Sequence, residues 1–233
     1  MNWRRNNPLG NQLVDSWKAH RCVDLLVRDG TWHSSVKPEC LFQLFQWLEW
    51  SVCQVNHGSS EPLAAIEFGV YKGGSLSRIV KASQRLGLPI EKFIGIDTWQ
   101  GMQGACDHDN FYRDGDFCDL DKNEVQRKLF ELDPGVSLYS VDLVDRDRSS
   151  SALEGIAQHK LCFAHLDVDL YTPTYNALHW AVEHVCPGGV IICDDYGWAD
   201  CAGARLACDQ VATETNNCLI KLPTSQALII KKM

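Results

Sequence analysis

The sequence predicts an α/β protein built on a mostly parallel β-sheet, and three observations support this fold class. From residue 63 onwards, short apolar strand patterns alternate with helical patterns, which is typical of βαβ units. A turn with three glycines joins the first strand to the first helix of this series. Acidic residues stand at the ends of five strands, and the carboxyl ends of strands are where such sheets bind ligands.

The strand and helix patterns give an explicit order of elements. Strands are predicted at 63–68, 92–97, 136–141, 161–167, 189–193, 217–221 and 226–231. Helices are predicted at 74–87, 121–132, 174–185 and 201–214. The connection between the last two strands is too short for a crossover helix, so we predict that they form an antiparallel hairpin at the sheet edge.

The N-terminal part of the chain has helical patterns only. A moderate apolar stripe covers 11–28, and a stronger one covers 38–55, where Pro38 suits the first turn of a helix. We therefore predict two units, an N-terminal helical layer at 1–58 that packs on a core domain at 59–233.

Composition and charge exclude several classes of partner. The 233-residue chain has a formal net charge of −8, whereas a protein that binds a nucleic-acid backbone needs a basic face. No apolar run approaches the roughly 20 residues that span a bilayer, and the N-terminal arginines precede no secretory apolar stretch. The 11 cysteines form no C-x-x-C pair, so we interpret them as buried thiols. We expect a cytoplasmic protein that binds neither nucleic acid nor a membrane.

The turn after the first strand has the features of a ligand-binding element. Glu67 ends the strand, Gly69, Gly73 and Gly74 follow, and Ser75 opens the helix. Glycines let a ligand approach the backbone, and the helix N-terminus offers free N–H groups to a carboxylate. The spacing G-x-x-x-G-G differs from the G-x-G-x-x-G of dinucleotide binders, which disfavours NAD and FAD. An ordinary glycine-rich turn is the alternative interpretation.

Asp97 stands at the end of the second strand. A carboxylate in this position can accept hydrogen bonds from both hydroxyls of a ribose, so together with the glycine-rich turn it predicts a nucleoside ligand. The alternative is an Asp that forms a turn before Thr98.

Two further strand ends concentrate carboxylates. Asp167 and Asp169 follow one strand, and Asp194 and Asp195 follow the next. Carboxylates on adjacent strand ends repel one another unless a cation lies among them, and hard oxygen ligands suit Mg²⁺, with Mn²⁺ or Ca²⁺ also fitting. The alternative is that Asp169 and Asp195 cap the helices that follow them.

Several segments, in order, resemble known methyltransferase motifs. The segment 66–75 resembles the first motif of class I S-adenosylmethionine-dependent methyltransferases. The segments that look like the macrocin O-methyltransferase (TylF/MycF/NovP) family are 97–101, 165–171, 187–197 and 203–209. The resemblance extends over about residues 34–233.

The resemblance implies a Rossmann-like, seven-stranded methyltransferase sheet with an antiparallel last strand. It places Asp167, Asp194 and Asp195 on the Mg²⁺ ligands of the family and Asp169 on the residue proposed there as general base. The residues that we expect to bind S-adenosylmethionine are Glu67, Gly69, Tyr71, Ser75, Asp97, Thr98, Asp142 and Asp167. His165, two residues before Asp167 in its strand, is expected to be a buried, hydrogen-bonded histidine rather than the base.

The function implied by the resemblance is Mg²⁺-dependent transfer of a methyl group to a hydroxyl of a small molecule, with a sugar of a natural product or glycan as the leading acceptor. A catechol-like phenol is the second acceptor class, and a non-catalytic module that binds S-adenosylmethionine is the alternative from another class. The four-carboxylate set favours an enzyme, because a binding module needs no metal site. A homo-oligomer is compatible with this interpretation.

The chain also departs from the family. Trp99-Gln100-Gly101 stands where the family usually has Phe-Glu-Gly, and the acidic, aromatic segment 102–119 matches poorly. We expect this segment to be a mobile lid that covers the acceptor.

Overall fold

The computed structural model describes residues 20–26, 32, 34–56 and 61–232. A 3-10 helix at His20–Leu26 precedes the main elements. These are α1 (Pro38–Val55), β1 (Leu63–Phe68), α2 (Gly74–Leu86), β2 (Ile90–Asp97), α3 (Lys122–Leu132), β3 (Val136–Ser140), α4 (Arg146–Ala157), β4 (Lys160–Leu166), α5 (Tyr171–His184), β5 (Val190–Cys193), α6 (Ala202–Glu214), β6 (Leu219–Lys221) and β7 (Ala227–Ile230).

The seven strands form one sheet in the order β3-β2-β1-β4-β5-β7-β6. Strands β1 to β5 run parallel to one another, whereas β7 pairs antiparallel with both β5 and β6. The hairpin therefore inserts its second strand next to β5 and leaves β6 at the edge. The predicted α/β fold, with a mostly parallel seven-stranded sheet and an antiparallel last strand, is confirmed.

Two helical layers cover the sheet, one on each face. Helices α1, α2 and α3 share one apolar cluster with residues such as Ala65 of β1 and Phe163 of β4. Helices α4, α5 and α6 share a second cluster with Ile66 and the other residues that point to the opposite face. Successive strand residues alternate between the two clusters because side chains along a strand point to opposite faces. Both faces are buried, as a parallel sheet requires.

The N-terminal layer is described in part. Helix α1 coincides with the predicted helix at 38–55, and Leu44, Phe45 and Leu48 are fully buried against the sheet. Of the stripe predicted at 11–28, the described residues form a 3-10 helix at His20–Leu26, and the remainder lies outside the described residues. The boundary between 1–58 and 59–233 also lies outside them, so this division remains a prediction. None of the described helices combines the length and apolarity needed to cross a membrane.

Within the described part of the chain, the structure adds one α-helix that the sequence pattern does not predict, α4. Only Ser149, Leu153 and Ile156 of its 12 residues are buried, so its apolar stripe is too sparse for a helical periodicity. Its start is nevertheless signalled locally, because the Asp145 side chain caps the helix by accepting hydrogen bonds from two backbone amides of the first turn.

Candidate functional site

A cavity opens at the carboxyl ends of β1, β2 and β4, the edge of the sheet where ligands are expected. The structure brings seven of the eight predicted cofactor residues to its walls, together with Asp169. The seven are Gly69, Tyr71, Ser75, Asp97, Thr98, Asp142 and Asp167. The eighth, Glu67, lies behind the cavity and is fully buried.

The N-terminus of α2 forms one end of the cavity. Gly73, at its N-cap, has a left-handed backbone with φ of 79° and supplies no side-chain cap. Gly74 and Ser75, the next two residues, line the cavity. The first amides of a helix have no partner within it, and the helix dipole favours negative charge there. This end of the cavity therefore fits a carboxylate such as that of a methionine moiety.

Asp97 organises the glycine-rich turn as well as facing the cavity. Its Oδ2 accepts hydrogen bonds from the amides of Val70 at 2.9 Å and Tyr71 at 2.8 Å. Its Oδ1 accepts one from Trp99 N at 2.9 Å, the bond of a turn-forming Asp. Each carboxylate oxygen has about two acceptor sites, so Oδ1 retains one for a hydroxyl donor. The turn-forming role of Asp97 is thus compatible with a bond to one ribose hydroxyl, rather than to both.

Gly69 lies where β1 and β4 leave the sheet side by side. Its φ is 86°, in the left-handed region, and a Cβ built on it would lie 1.8 Å from the carbonyl oxygen of Asp167. No side chain fits between the two backbones at this point. The close approach places the ends of both strands at the same wall of the cavity.

Replacing Gly69 with Ala is therefore expected to reduce the free energy of unfolding by at least about 2 kcal/mol. Two costs add: the strain of an Ala in the left-handed region, and the clash of its Cβ with the Asp167 carbonyl. Urea denaturation at unchanged m-value measures the effect. Gly155→Ala, in α4 with open space around the built Cβ, is the matched control and should stabilise by up to about 1 kcal/mol. An unchanged midpoint for Gly69→Ala would contradict this account of the turn.

Next to the cavity, the structure brings the three predicted metal ligands together. Asp167, Asp194 and Asp195 each place a carboxylate oxygen within 4.8 Å of the others. Asp169, Asp195 and Cys201 form a second such triple. The two triples share Asp195, whose Oδ2 accepts a hydrogen bond from Asp169 N at 3.0 Å.

The electrostatics of these carboxylates are those of crowded like charges. Burial, followed by the charges of Asp194 and Asp169, raises the pKa of Asp167 well above its ordinary value. The pKa of Asp195 is raised for the same reasons, with Asp169 and Asp167 as its strongest neighbours. Burial raises the pKa of Asp169 to about 6. A divalent cation among these oxygens would offset both effects, and three carboxylates are a donor set that fits Mg²⁺, Mn²⁺ or Ca²⁺.

The alternative interpretation, that Asp169 and Asp195 cap helices, is not supported. Helix α5 begins at Tyr171, its N-cap residue is Leu170, and no side chain of that residue caps the helix with a hydrogen bond. The amide of Tyr171, at its first turn, instead donates to Asp109 Oδ1 at 2.9 Å. The 3-10 helix Asp195–Gly197 likewise has no side-chain cap.

Behind the cavity, a buried polar chain links strands β1, β4 and β5. Glu67 Oε1 lies 2.8 Å from His165 Nδ1, and His165 Nε2 lies 3.4 Å from Asp194 Oδ1. Burial alone would lower the pKa of His165, but the two carboxylates outweigh it and raise the pKa to about 10. His165 is therefore the buried, hydrogen-bonded histidine that was predicted. The Oε2 atom of Glu67 is buried and has no hydrogen-bond partner among the described residues, so its role toward a cofactor remains a prediction.

The segment 102–119 lies over the cavity and is held by its own hydrogen bonds. The amide of Gly115 donates to Met102 O, and that of Met102 donates to Asp116 O, both at 2.8 Å. Met102 and Phe117 line the cavity, and the Tyr112 ring contacts that of Phe117 with centroids 5.6 Å apart. Burial, and then the charge of Asp169, raises the pKa of Tyr112 to about 12. The expected mobility of this segment remains a prediction.

Sequence reasoning missed several residues of the site. Ser34, Ser35 and Val36, just before α1, line the cavity although no motif marks them. Cys201 donates to Asp169 Oδ1 at 3.4 Å, and its position shortly after Asp194 and Asp195 is the one sequence signal for it. Gln226 contacts Asp194 from the far end of the chain.

Comparison with known proteins gives the following matches. The family described as a methyltransferase domain matches residues 66–196, more than half of the chain. No curated protein matches.

Among solved structures, the calicheamicin methyltransferase CalS11 has a TM-score of 0.68 at 18% identity, covering 97% of this chain and 94% of its own. The O-methyltransferase NovP has a TM-score of 0.66 at 17% identity, and the match covers 94% of this chain and 100% of NovP. MycE from the mycinamycin biosynthetic pathway was solved with Mg, SAH and mycinamycin VI. It has a TM-score of 0.53 at 15% identity, and the match covers 94% of this chain and 54% of MycE. At these identities the likeness establishes the fold alone.

Proposed function

Because the chain belongs to the methyltransferase-domain family and is an S-adenosylmethionine-dependent methyltransferase, we propose that it methylates a hydroxyl group of a small molecule with the help of Mg²⁺. The observation on which this proposal rests is that Asp167, Asp194 and Asp195 meet within 4.8 Å beside the cavity. A methyltransferase that needed only its cofactor would have no use for three clustered carboxylates, which are costly to bury.

In this proposal, different cavity residues bind different parts of the cofactor. Asp97 accepts a ribose hydroxyl at the free acceptor site of Oδ1, while the first amides of α2 hold the methionine carboxylate. Gly69 keeps the backbone clear on the wall between them. Tyr71, Thr98 and Asp142 line the same cavity and complete the proposed binding surface.

The acidic residues have two different roles toward the acceptor, binding the cation and accepting a proton. Asp167, Asp194 and Asp195 would hold Mg²⁺, which when bound supplies a positive charge that lowers the pKa of the acceptor hydroxyl. Asp169 lines the cavity beside them and would accept the proton that the hydroxyl loses when it attacks the methyl carbon. The loop 102–119, with its aromatic rings, would exclude water from the acceptor.

The leading acceptor is a sugar of a natural product or glycan. The structural neighbours support it: one is a calicheamicin methyltransferase, described in its apo form as a TDP-rhamnose 3′-O-methyltransferase, and another was solved with mycinamycin VI. A catechol is the second candidate, because its vicinal oxygens can chelate the same cation. Membership of the narrower macrocin O-methyltransferase family is part of this proposal.

The test is turnover over an acceptor panel. The protein is incubated with S-adenosylmethionine and Mg²⁺ over glycosides, free sugars and catechols, and S-adenosylhomocysteine release is measured. Methylation of glycosides is the expected result. Turnover confined to catechols would contradict the sugar acceptor, and cofactor binding without turnover on any hydroxyl would contradict the proposed reaction.

Asp97→Ala is expected to weaken cofactor affinity by about 2 kcal/mol or more, roughly 30-fold in Kd, because a charge-assisted bond to the ribose and the anchor of the glycine-rich turn are both lost. Calorimetric titration with S-adenosylhomocysteine measures it. Asp121→Ala is the matched control, since Asp121 also accepts bonds from two backbone amides but lies outside the cavity. A folded Asp97→Ala protein with unchanged affinity would refute the assignment.

A further inference from the structure

Gln226 lies in the turn that leads from β6 into β7, far in sequence from every motif of the site. Its side chain is 1% exposed and reaches Asp194, the residue that directly follows β5. Nε2 donates to Asp194 Oδ1 at 2.7 Å and lies 3.3 Å from the carbonyl oxygen of Cys40, in the first turn of α1. Because both neighbours of Nε2 are acceptors, the orientation of the amide is fixed: the nitrogen faces Asp194.

The other end of the Gln226 amide is also held. Oε1 accepts a hydrogen bond from Thr224 Oγ1 at 3.1 Å, within the same turn. A buried amide with partners at both ends has little freedom to rotate. Its donor is therefore a rigid feature of the site, formed jointly by the hairpin and α1.

Among the described residues, two side-chain donors meet Asp194, and they converge on one oxygen. Gln226 Nε2 and His165 Nε2 lie 2.7 Å and 3.4 Å from Oδ1, which leaves Oδ2 available to a cation. Asp194 is only 4% exposed and shares its surroundings with Asp167 and Asp195, so repulsion alone would turn its carboxylate away from theirs. A short hydrogen bond from a neutral donor opposes that rotation without adding a competing charge.

We propose that Gln226 is a positioning residue for the metal site: its amide orients Asp194 toward Asp167 and Asp195, and so couples cation affinity to the β6–β7 hairpin and α1. This inference rests on the proposed Mg²⁺ function and deepens it. Hydrogen-bonding partners of metal ligands orient those ligands, and their removal commonly weakens metal binding about 10- to 100-fold.

The test measures cation and cofactor binding separately on the intact protein, without turnover. Mn²⁺ is titrated with its free EPR signal as readout, and S-adenosylhomocysteine is titrated by calorimetry. Gln226→Met, which keeps the length of the side chain and removes the donor, is expected to weaken Mn²⁺ binding at least about tenfold while cofactor affinity stays near the wild-type value. A purely structural role would lower both affinities together.

Ser225→Ala is the matched control. The Ser225 hydroxyl lies 3.4 Å from Cys40 Sγ, so this variant also disturbs the contact between the hairpin and α1. Among the described residues, the side chain that donates to Asp194 from this turn is that of Gln226, not Ser225. Both its affinities are expected to stay unchanged. If Gln226→Met does not fold, Gln226→Asn keeps a buried amide and is too short to reach Asp194, and the same loss of Mn²⁺ affinity is expected.

The outcomes separate the inference from the function beneath it. If Asp194→Asn loses Mn²⁺ binding but both Gln226 variants bind Mn²⁺ as tightly as the wild type, the positioning role alone is overturned. If the wild-type protein binds no stoichiometric Mn²⁺, the proposed metal function is overturned, and the positioning role with it. The same conclusion follows if Asp194→Asn binds Mn²⁺ normally.

Discussion

EDTA is expected to abolish methyl transfer while leaving S-adenosylhomocysteine binding largely intact. The proposed cation ligands are the carboxylates of Asp167, Asp194 and Asp195, whereas the cofactor is proposed to bind mainly through the α2 amides and Asp97. Of the three ligands, Asp167 also lines the cavity. Loss of the cation removes the charge that acidifies the acceptor, which is worth several kcal/mol, or roughly 10³-fold in rate. Release of S-adenosylhomocysteine and calorimetric binding, both after dialysis against EDTA, measure the two effects.

The control is EDTA already saturated with Mg²⁺, which should leave turnover unchanged, and excess MgCl₂ should restore it. Asp195→Asn tests the same point genetically. Asp195 belongs to both triples of potential ligands, so this variant should weaken Mn²⁺ binding by more than about tenfold. Full turnover after exhaustive dialysis against EDTA would contradict a metal role.

The cavity could be predicted because its signals are local. Gly69 and Gly73 adopt positive φ in the turn where their spacing indicated a ligand loop. Asp97, Asp167 and Asp194 stand at strand ends, and a parallel sheet brings such ends to one edge whatever the rest of the chain does. Local residue types and strand periodicity were therefore enough to predict the fold and eight of the residues that line the cavity.

The parts that escaped prediction depend on contacts between distant segments. Gln226 meets Cys40 across 186 positions, and a single Gln in a polar turn has no feature that distinguishes it from a solvated one. The contact between Glu67 and His165, its register partner in β4, was also not predicted, while the expected role of Glu67 toward the cofactor stays a prediction. Strand register, which decides that contact, cannot be read from either strand alone.

Asp169→Asn is expected to lower kcat by about 10²-fold or more, the usual scale for removal of a general base. The substitution suits the backbone, because Asp169 has φ of 58° and both Asp and Asn are tolerated in this left-handed region. The amide oxygen can still accept the bond from Cys201 Sγ, and Asp169 N can still donate to Asp195. The fold and the affinities for cofactor and Mn²⁺ should therefore survive, and only the capacity to accept a proton is lost.

The neighbouring titratable groups are poor substitutes for Asp169. His165 is fully buried between Glu67 and Asp194, with its pKa raised to about 10, so at neutral pH it holds a proton and does not reach the cavity. Tyr112 has its pKa raised to about 12 by burial, followed by the charge of Asp169, so its phenol also stays protonated. Steady-state kinetics at saturating cofactor, with Tyr112→Phe as the control, separate the candidates. Near-normal kcat in Asp169→Asn, with a large loss in His165→Gln at saturating Mg²⁺, would show that the base is assigned to the wrong residue.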